Sequence, residues 1–324
     1  MSDRYANMKY RRCGRSGLML PAISLGAWET FGGYRDAEVA RECITRAFDL
    51  GITHFDFANN YGKPPGNAEL VCGRALGDLP RDELIIATKA GFPMWPGPYG
   101  DGGSRKYLIA SCDASLKRLG VDYVDIFYHH RPDPKTPIEE TMGALATLVQ
   151  QGKALYAGVS SYTGEQFVAA VRAAKDCGVP LTIHQPYYNL LGRRIESNLL
   201  PHAVENGTGI IAFCPLASGL LTTRFLDGKI PAGARGLLWP GAWVRANAEA
   251  RRGEVLTGLN EIAKARGQTL PQMALAWILR LDALTSVAVG ASRVEQIEEN
   301  VKALAKLEFS AEELAAIDRL TLAA

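Results

Sequence analysis

Four side chains, spread over the first 130 residues, carry the groundwork for a proton-transfer site. In GITHFDFANNYG (residues 51–62) an apolar run ends at Asp56, and Tyr61 follows five residues later. A second apolar run, LIIATK, ends at Lys89, and a third, VDIFYH, leads into the pair His129–His130. An ammonium at the end of an apolar strand needs a counter-charge, because an unpaired buried charge is costly. Asp56 is the obvious partner. A cation beside a phenol favours the tyrosinate, so Lys89 is expected to pull the Tyr61 pKa down from about 10. A phenol tuned in this way gives up a proton near neutral pH and reclaims it in reverse. An imidazole at His130 would hydrogen-bond a carbonyl oxygen and fix its direction. Each residue also has an ordinary reading. Asp56 can cap a turn, Tyr61 can pack, and adjacent strand residues face opposite ways, so one of His129 and His130 is structural.

Other chemistries find no support. The six cysteines (Cys13, Cys43, Cys72, Cys112, Cys177, Cys214) are scattered, without a C-x-x-C pair. That suits free thiols in a reducing cytoplasm better than a disulfide frame or a zinc site. His54 and His184 read as core residues and His202 as an exposed helix residue; no metal-ligand spacing such as H-E-x-x-H occurs, so no metal is expected. No serine lies in G-x-S-x-G, which argues against an acyl-transfer triad. The net charge of +2 is too small to argue for nucleic acid, and there is no basic block. The N-terminus is polar, without the apolar core of a signal peptide. No stretch approaches the roughly 18 apolar residues of a membrane span. With 47% hydrophobic and 22% charged residues, the composition is that of a globular protein with a large core.

The elements that must hold these side chains follow from the hydrophobic rhythm. Short apolar runs suggest strands at 22–26, 53–57, 84–89, 124–129, 154–160, 182–186, 209–213 and 286–290. Helical patterns alternate with them near 37–50, 67–77, 105–119, 137–151, 164–177, 196–206, 250–266 and 293–306. Eight strand–helix units argue for a parallel sheet closed into a (β/α)8 TIM barrel, an α/β fold. The rival, a doubly wound open sheet, would normally carry G-x-G-x-x-G after its first strand, and that fingerprint is absent. Three segments fall outside the repeat: a hairpin over 8–20 turning at GRSG, a Gly/Pro-rich loop over 91–104, and a long irregular loop over 220–249. Loops of that length are often lids or binding loops. TLPQMALAWILR (269–280) reads as an extra apolar helix, and one domain over 1–324 is expected.

Barrel enzymes place their chemistry where strands end. Those positions here are Trp28, Asp56, Lys89, His130, Ser160, Gln185, Phe213 and Gly290. An acid, an ammonium, an imidazole, a hydroxyl, an amide and aromatics converge there.

At this point the chain resembles the aldo-keto reductases, from about residue 8 to the end. GITHFDFANNYG is similar to the segment carrying that family's catalytic Asp and Tyr, IIATK to the strand carrying its Lys, and DIFYHHRPD to the strand carrying its His, which singles out His130. GVSSY and IHQPYYNLL resemble the segments whose Ser and Gln hold a nicotinamide carboxamide; GASRVEQIEEN resembles the late loop and helix that hold the adenosine phosphate. LGAWETFGG, NLLGRR, PLASGLLTTRF and QMALAWILR are nearest to the branch of bacterial glyceraldehyde-3-phosphate and methylglyoxal reductases and potassium-channel β subunits.

The resemblance implies NADPH-dependent reduction of an aldehyde or ketone, with Tyr61 as general acid, Lys89 and Asp56 tuning it, and His130 orienting the carbonyl. It implies that Phe213 stacks on the nicotinamide, with Trp28 and Asp56 beside the cofactor and Ser160 and Gln185 on its carboxamide. Pro215, Leu216, Ala217 and Gly219 would follow the pyrophosphate, with Arg224 and Arg235. Gly290, Ser292, Arg293, Gln296, Glu299 and Asn300 would hold the adenosine end. A helix starting at Arg293 offers an anion site for a 2′-phosphate; where the family usually has lysine before the serine, this chain has Ala291.

The substrate pocket is expected to be walled by Trp28, Tyr61, His130 and the loop around Met94, Trp95 and Tyr99, suiting small carbonyls with an apolar or planar part. Arg131, Arg193 and Arg194 are candidates for a substrate phosphate or for surface charge. A second reading is a slow-turnover, redox-sensing β-like subunit. Channel β subunits typically carry Asn where this chain has His130, which favours a working reductase. The tryptophans of GLLWPGAWVR (236–245) and the branch resemblance suggest a homo-oligomer, a tetramer or larger.

Overall fold

The computed structural model describes residues 4–226 and 252–322. Ten strands and eleven α-helices are present among them. The hairpin comes first: β1 (Tyr10–Arg12) pairs antiparallel with β2 (Met19–Pro21). Eight parallel strands then close on themselves: β3 (Ile23–Gly26), β4 (His54–Asp56), β5 (Ile85–Ala90), β6 (Val124–His129), β7 (Ala154–Ser160), β8 (Leu181–Gln185), β9 (Gly209–Phe213) and β10 (Leu284–Gly290), with β10 hydrogen-bonded to β3. The helices that follow are α1 (Ala37–Asp49), α2 (Asn67–Leu76), α3 (Arg105–Leu119), α4 (Ile138–Gln150), α5 (Gly164–Asp176), α6 (Ile195–Asn198), α7 (Leu200–Asn206), α8 (Arg252–Ala265), α9 (Leu270–Leu279), α10 (Val294–Val301) and α11 (Ala311–Thr321).

The barrel expectation holds, strand for strand. Two helical patterns are each split. The segment near 196–206 divides into α6 and α7 around Leu199, and α10 passes into a 3-10 turn over Lys302–Ala305. Helix α11 lies outside the eight expected repeats. Its signal was nonetheless written in the chain: Ser310 and Glu313 form a capping box at its start. The expected loop over 220–249, with Arg235 and the tryptophans of 236–245, lies outside the described residues from 227 onward.

Alternation along the strands sorts two cores. The outer one lies between sheet and helices, with Phe55, Phe127, Val159 and Trp277 fully buried. The inner one fills the barrel with Ala87, Ile126, Tyr128, Ile183, Ile211 and Ala288. Cys13, Leu18 and Leu20 of the hairpin pack into this inner cluster, so the hairpin plugs the end away from the strand tips. Gly158 makes room inside: a Cβ there would lie 2.6 Å from the Tyr128 ring.

The hairpin turn is seated just as closely. Gly14 has φ +56°, and a Cβ would meet the Gly207 carbonyl oxygen at 2.0 Å. Gly14→Ala is therefore expected to lower stability by more than about 1 kcal/mol, read as a fall in the urea midpoint. An unchanged midpoint would mean the plug is not held there.

Three imidazoles are locked into the scaffold. His54 Nδ1 meets Ser24 Oγ at 2.8 Å, His129 Nδ1 meets Tyr162 Oη at 2.6 Å, and His184 packs edge-on against Tyr162 and Phe167. Burial pushes His54 and His129 down to about 4 and His184 to about 3. In the unfolded chain each titrates near about 6.5. Below that pH the unfolded chain takes up protons that the folded state refuses, so stability is lost as pH falls from about 6.5 towards 4. Each buried imidazole contributes up to about 1.4 kcal/mol per pH unit in that window. Urea midpoints are expected to fall between pH 7 and pH 5, with a shallower fall in His184→Phe. A flat profile would contradict the neutral, buried assignment.

Candidate active site

Two neighbouring strands bring the charged pair together at the mouth of the barrel. Asp56 is the last residue of β4, and its backbone pairs in register with Ala87 of β5. Lys89 is two residues further along β5 and points the same way, into the barrel. Its side chain is completely buried. Nζ donates to Asp56 Oδ2 at 2.6 Å and to the Phe57 carbonyl at 2.7 Å. Burial lowers the Lys89 pKa, and the Asp56 carboxylate opposes that fall. Removing either partner would strand the other in a dry setting, at a cost of about 3–5 kcal/mol.

Tyr61 and His130 stand over this pair. The ammonium lies 5.3 Å from the Tyr61 ring centroid, and the Tyr61 and His130 rings meet edge-on at 5.8 Å. Phe92 flanks His130 on another side at 4.7 Å. The expectation of a lowered Tyr61 pKa is corrected here. Burial raises it well above 10, and Asp56, Cys214 and Glu29 add to the rise. The phenol therefore holds its proton at neutral pH. Burial, with Lys89, His129 and Arg131, keeps His130 neutral, and its Nδ1 is buried without a hydrogen-bond partner among the described residues. A neutral imidazole is a hydrogen-bond donor at one nitrogen only. The ambiguity between the two histidines resolves by parity: Tyr128 fills the barrel, His129 turns outward to Tyr162, and His130 returns to the mouth.

The residues expected to face a cofactor lie on the next strands round. Ser160 ends β7 and donates to the Gln185 carbonyl at 2.8 Å; Gln185 ends β8, and its Nε2 donates to Asp56 Oδ1 at 3.2 Å. Phe213 ends β9, half-buried against the Tyr187 ring at 5.7 Å. Pro215 and Ala217 are buried just beyond it, Leu216 and Gly219 are half-buried, and Arg224 is exposed in the turn Thr223–Phe225. Trp28 is half-buried in the turn after β3. Gly290, the last residue of β10, is exposed, and beyond it Gln296 Oε1 accepts from Ser292 N at 2.8 Å and Ser292 Oγ at 3.2 Å. Arg293 precedes α10, exposed beside Glu295; Glu299 accepts from Thr269 Oγ1 at 2.6 Å, and Asn300 is buried. Arg235 lies outside the described residues.

One signal here is invisible in the chain. Among the described residues, Glu29, Ser161, Cys214, Ala217 and Ser218 are the non-glycines with positive φ (61°, 62°, 51°, 48° and 56°). All five lie just past the tips of β3, β7 and β9. Such strain persists only where surroundings over-determine it, and it gathers at functional sites. The sequence reading does not single out Cys214 or Ser218, because no residue-type preference marks them for that conformation.

Two of the three candidate phosphate readers are committed elsewhere. Arg131 Nη2 donates to Asp101 at 2.9 and 3.1 Å and its Nε to the Gly91 carbonyl at 2.7 Å. Arg193 is bound to Glu196 and Asp318 and stacks on Trp277. Arg194 is exposed. Trp95 is 39% exposed, its ring tilted against Tyr107, so it stands at the rim rather than in the floor.

Comparison with known proteins agrees with this geometry. A model of the aldo/keto reductase family matches residues 22–321. L-glyceraldehyde 3-phosphate reductase of Escherichia coli K12 is 55% identical over 325 positions, covering 98% of this chain and 93% of that protein. A probable voltage-gated potassium channel subunit beta of Arabidopsis thaliana is 39% identical over 304 positions, covering 92% of this chain and 91% of its own length. A putative subunit of the same kind from Schizosaccharomyces pombe is 40% identical, covering 92% and 88%. With that match running from the first barrel strand to the last helix, the chain belongs to the aldo/keto reductase family and is an oxidoreductase.

Proposed function

We propose that the protein reduces small aldehydes and ketones to alcohols, with NADPH as reductant. The observation that carries this reading is the buried Lys89–Asp56 pair beneath a phenol that holds its proton. The donor set suits a nicotinamide dinucleotide. Ser160 and Gln185 offer a hydroxyl and an amide at the floor, Phe213 offers a ring face, and the strained backbone after β9 offers a close approach for a pyrophosphate. Pro215, Leu216, Ala217, Gly219 and Arg224 continue that path. Gly290, Ser292, Arg293, Gln296, Glu299 and Asn300 serve the adenosine end, where the start of α10 attracts a 2′-phosphate.

When bound, the reduced nicotinamide supplies a hydride to the carbonyl carbon. The rest is the work of side chains. His130, neutral, donates a hydrogen bond to the carbonyl oxygen and fixes its lie. Tyr61 donates its proton to that oxygen as negative charge develops. Lys89 has spent two N–H bonds on Asp56 and Phe57 and keeps a third for the phenolate. Asp56 holds the ammonium in place. Trp28 and Trp95 wall the substrate side.

The relative named for L-glyceraldehyde 3-phosphate supports a small phosphorylated or unphosphorylated aldehyde as substrate, with methylglyoxal in the same class. Residues 1–324 would act as one reductase barrel in the cytoplasm, as a tetramer or larger; no helix among the described residues is long and apolar enough to cross a membrane. A second reading, a slow redox-sensing subunit, is motivated by the channel β relatives. His130 as a neutral donor at the site favours turnover.

NADPH oxidation followed by absorbance, against methylglyoxal, glyceraldehyde 3-phosphate and 4-nitrobenzaldehyde with NADH in parallel, tests the reading. Steady oxidation with a carbonyl is expected. Tight NADPH binding without turnover on every substrate would shift it to the sensing subunit. Tyr61→Phe is expected to lower kcat by roughly a thousandfold, as loss of a general acid does, while NADPH still binds. Unchanged turnover would sink the assigned role.

A further inference from the structure

The proposed mechanism leaves one fully buried carboxylate without a task. Glu69 sits in the first turn of α2 with its side chain completely shielded from solvent. A carboxylate in that setting is costly unless its oxygens are held. Thr88 Oγ1 donates to Oε1 at 2.5 Å, and Arg118 Nε of α3 donates to Oε2 at 2.6 Å. The Arg118 side chain passes directly beneath Gly66, where a Cβ would lie 2.9 Å from its Cδ, and its Nη2 donates to Ser115 Oγ at 3.0 Å.

Both ends of this link lead to the reacting groups. Thr88 immediately precedes Lys89 on β5; alternation sends its hydroxyl outward to α2 while the ammonium points into the barrel. At the other end, the backbone N–H groups of Gly66 and Ala68 both donate to the Tyr61 carbonyl, at 3.1 and 3.2 Å. Tyr61 thus hangs from the first turn of α2. That turn is tied through Glu69 to β5, and β5 carries Lys89. Glu69 also adds negative charge near Lys89 from the outer side of the sheet, which favours the ammonium.

We infer that Glu69, clamped between Thr88 and Arg118, is a positioning residue that sets the Tyr61 phenol against Lys89 for proton transfer. The inference deepens the reductase reading and rests on it. Glu69 itself touches neither substrate nor cofactor.

Three variants of the full chain test it. Thr88→Val removes the hydroxyl at nearly constant volume, Thr88→Ser restores it, and Glu69→Gln removes the charge while keeping the shape. Each is measured for kcat and KM with an aldehyde that the wild type reduces, for NADPH affinity by fluorescence quenching, for the solvent deuterium isotope effect on kcat, and for Tm. Thr88→Val and Glu69→Gln are expected to lower kcat about ten- to a hundredfold, as a displaced catalytic group does. NADPH affinity should stay unchanged, and the solvent isotope effect should rise as proton transfer becomes limiting. Thr88→Ser should recover most of the rate. A lowered Tm with kcat at the wild-type level would mean a purely structural clamp and would overturn the inference. So would a parallel loss of kcat and NADPH affinity, which would mark general collapse of the site. If Glu69→Gln fails to fold, the Thr88 pair decides alone. A wild type that turns over no carbonyl overturns the reductase reading and this inference together; an active wild type with unaffected variants overturns the inference only.

Discussion

An ammonium buried to 0% exposure at the tip of a barrel strand is the constraint around which this protein is arranged. Lys89 cannot sit there alone, because desolvation penalises its charge. It requires Asp56 on the neighbouring strand, in a register that brings the carboxylate within 2.6 Å, and the Phe57 carbonyl beyond it. That register exists only because β4 and β5 are adjacent parallel strands of a closed sheet. Closure in turn requires a filled interior, which the hairpin completes from the far end with Cys13, Leu18 and Leu20.

The same alternation of side chains assigns roles along β5 and β6. Thr88 and His129 face the helices and find partners there, Glu69 and Tyr162. Lys89 and Tyr128 face the barrel, and His130 turns to its mouth. Inside and outside are thereby coupled. Thr88, beside Lys89, is hydrogen-bonded to Glu69 of α2, and His129, beside His130, to Tyr162 in the loop between β7 and α5, so the layer outside the barrel helps to fix the geometry of the site.

Burial sets the protonation states in this site. It keeps the Tyr61 phenol and the His130 imidazole neutral, so both are donors near neutral pH. Proximity of a cation alone suggested an acidified phenol; desolvation, reinforced by Asp56, Cys214 and Glu29, outweighs it. In the proposed mechanism the nearby cation acts instead as charge develops on the phenol oxygen, where a preorganised ammonium would stabilise it without reorganisation.

Much of this was legible in the amino-acid sequence. The eight strands were readable from apolar runs bounded by turn residues, and the strand-tip positions of Asp56, Lys89, Ser160, Gln185 and Phe213 followed from them, because strand ends and barrel mouths coincide in this fold. What tertiary structure decided was everything that depends on a partner distant in sequence. Arg131 and Arg193 stood open between a substrate phosphate and surface charge; Asp101, Glu196 and Asp318 hold them in the folded chain. Nothing in the helical pattern near 67–77 sets Glu69 apart; the contacts of Thr88 and Arg118 with it exist only in the folded chain. The direction of the Tyr61 shift and the strained backbone after β9 likewise arise from surroundings that no local pattern encodes. Periodicity is a property of the chain and can be read along it; burial, pairing and strain are properties of the packed molecule, and they appear only when the barrel closes.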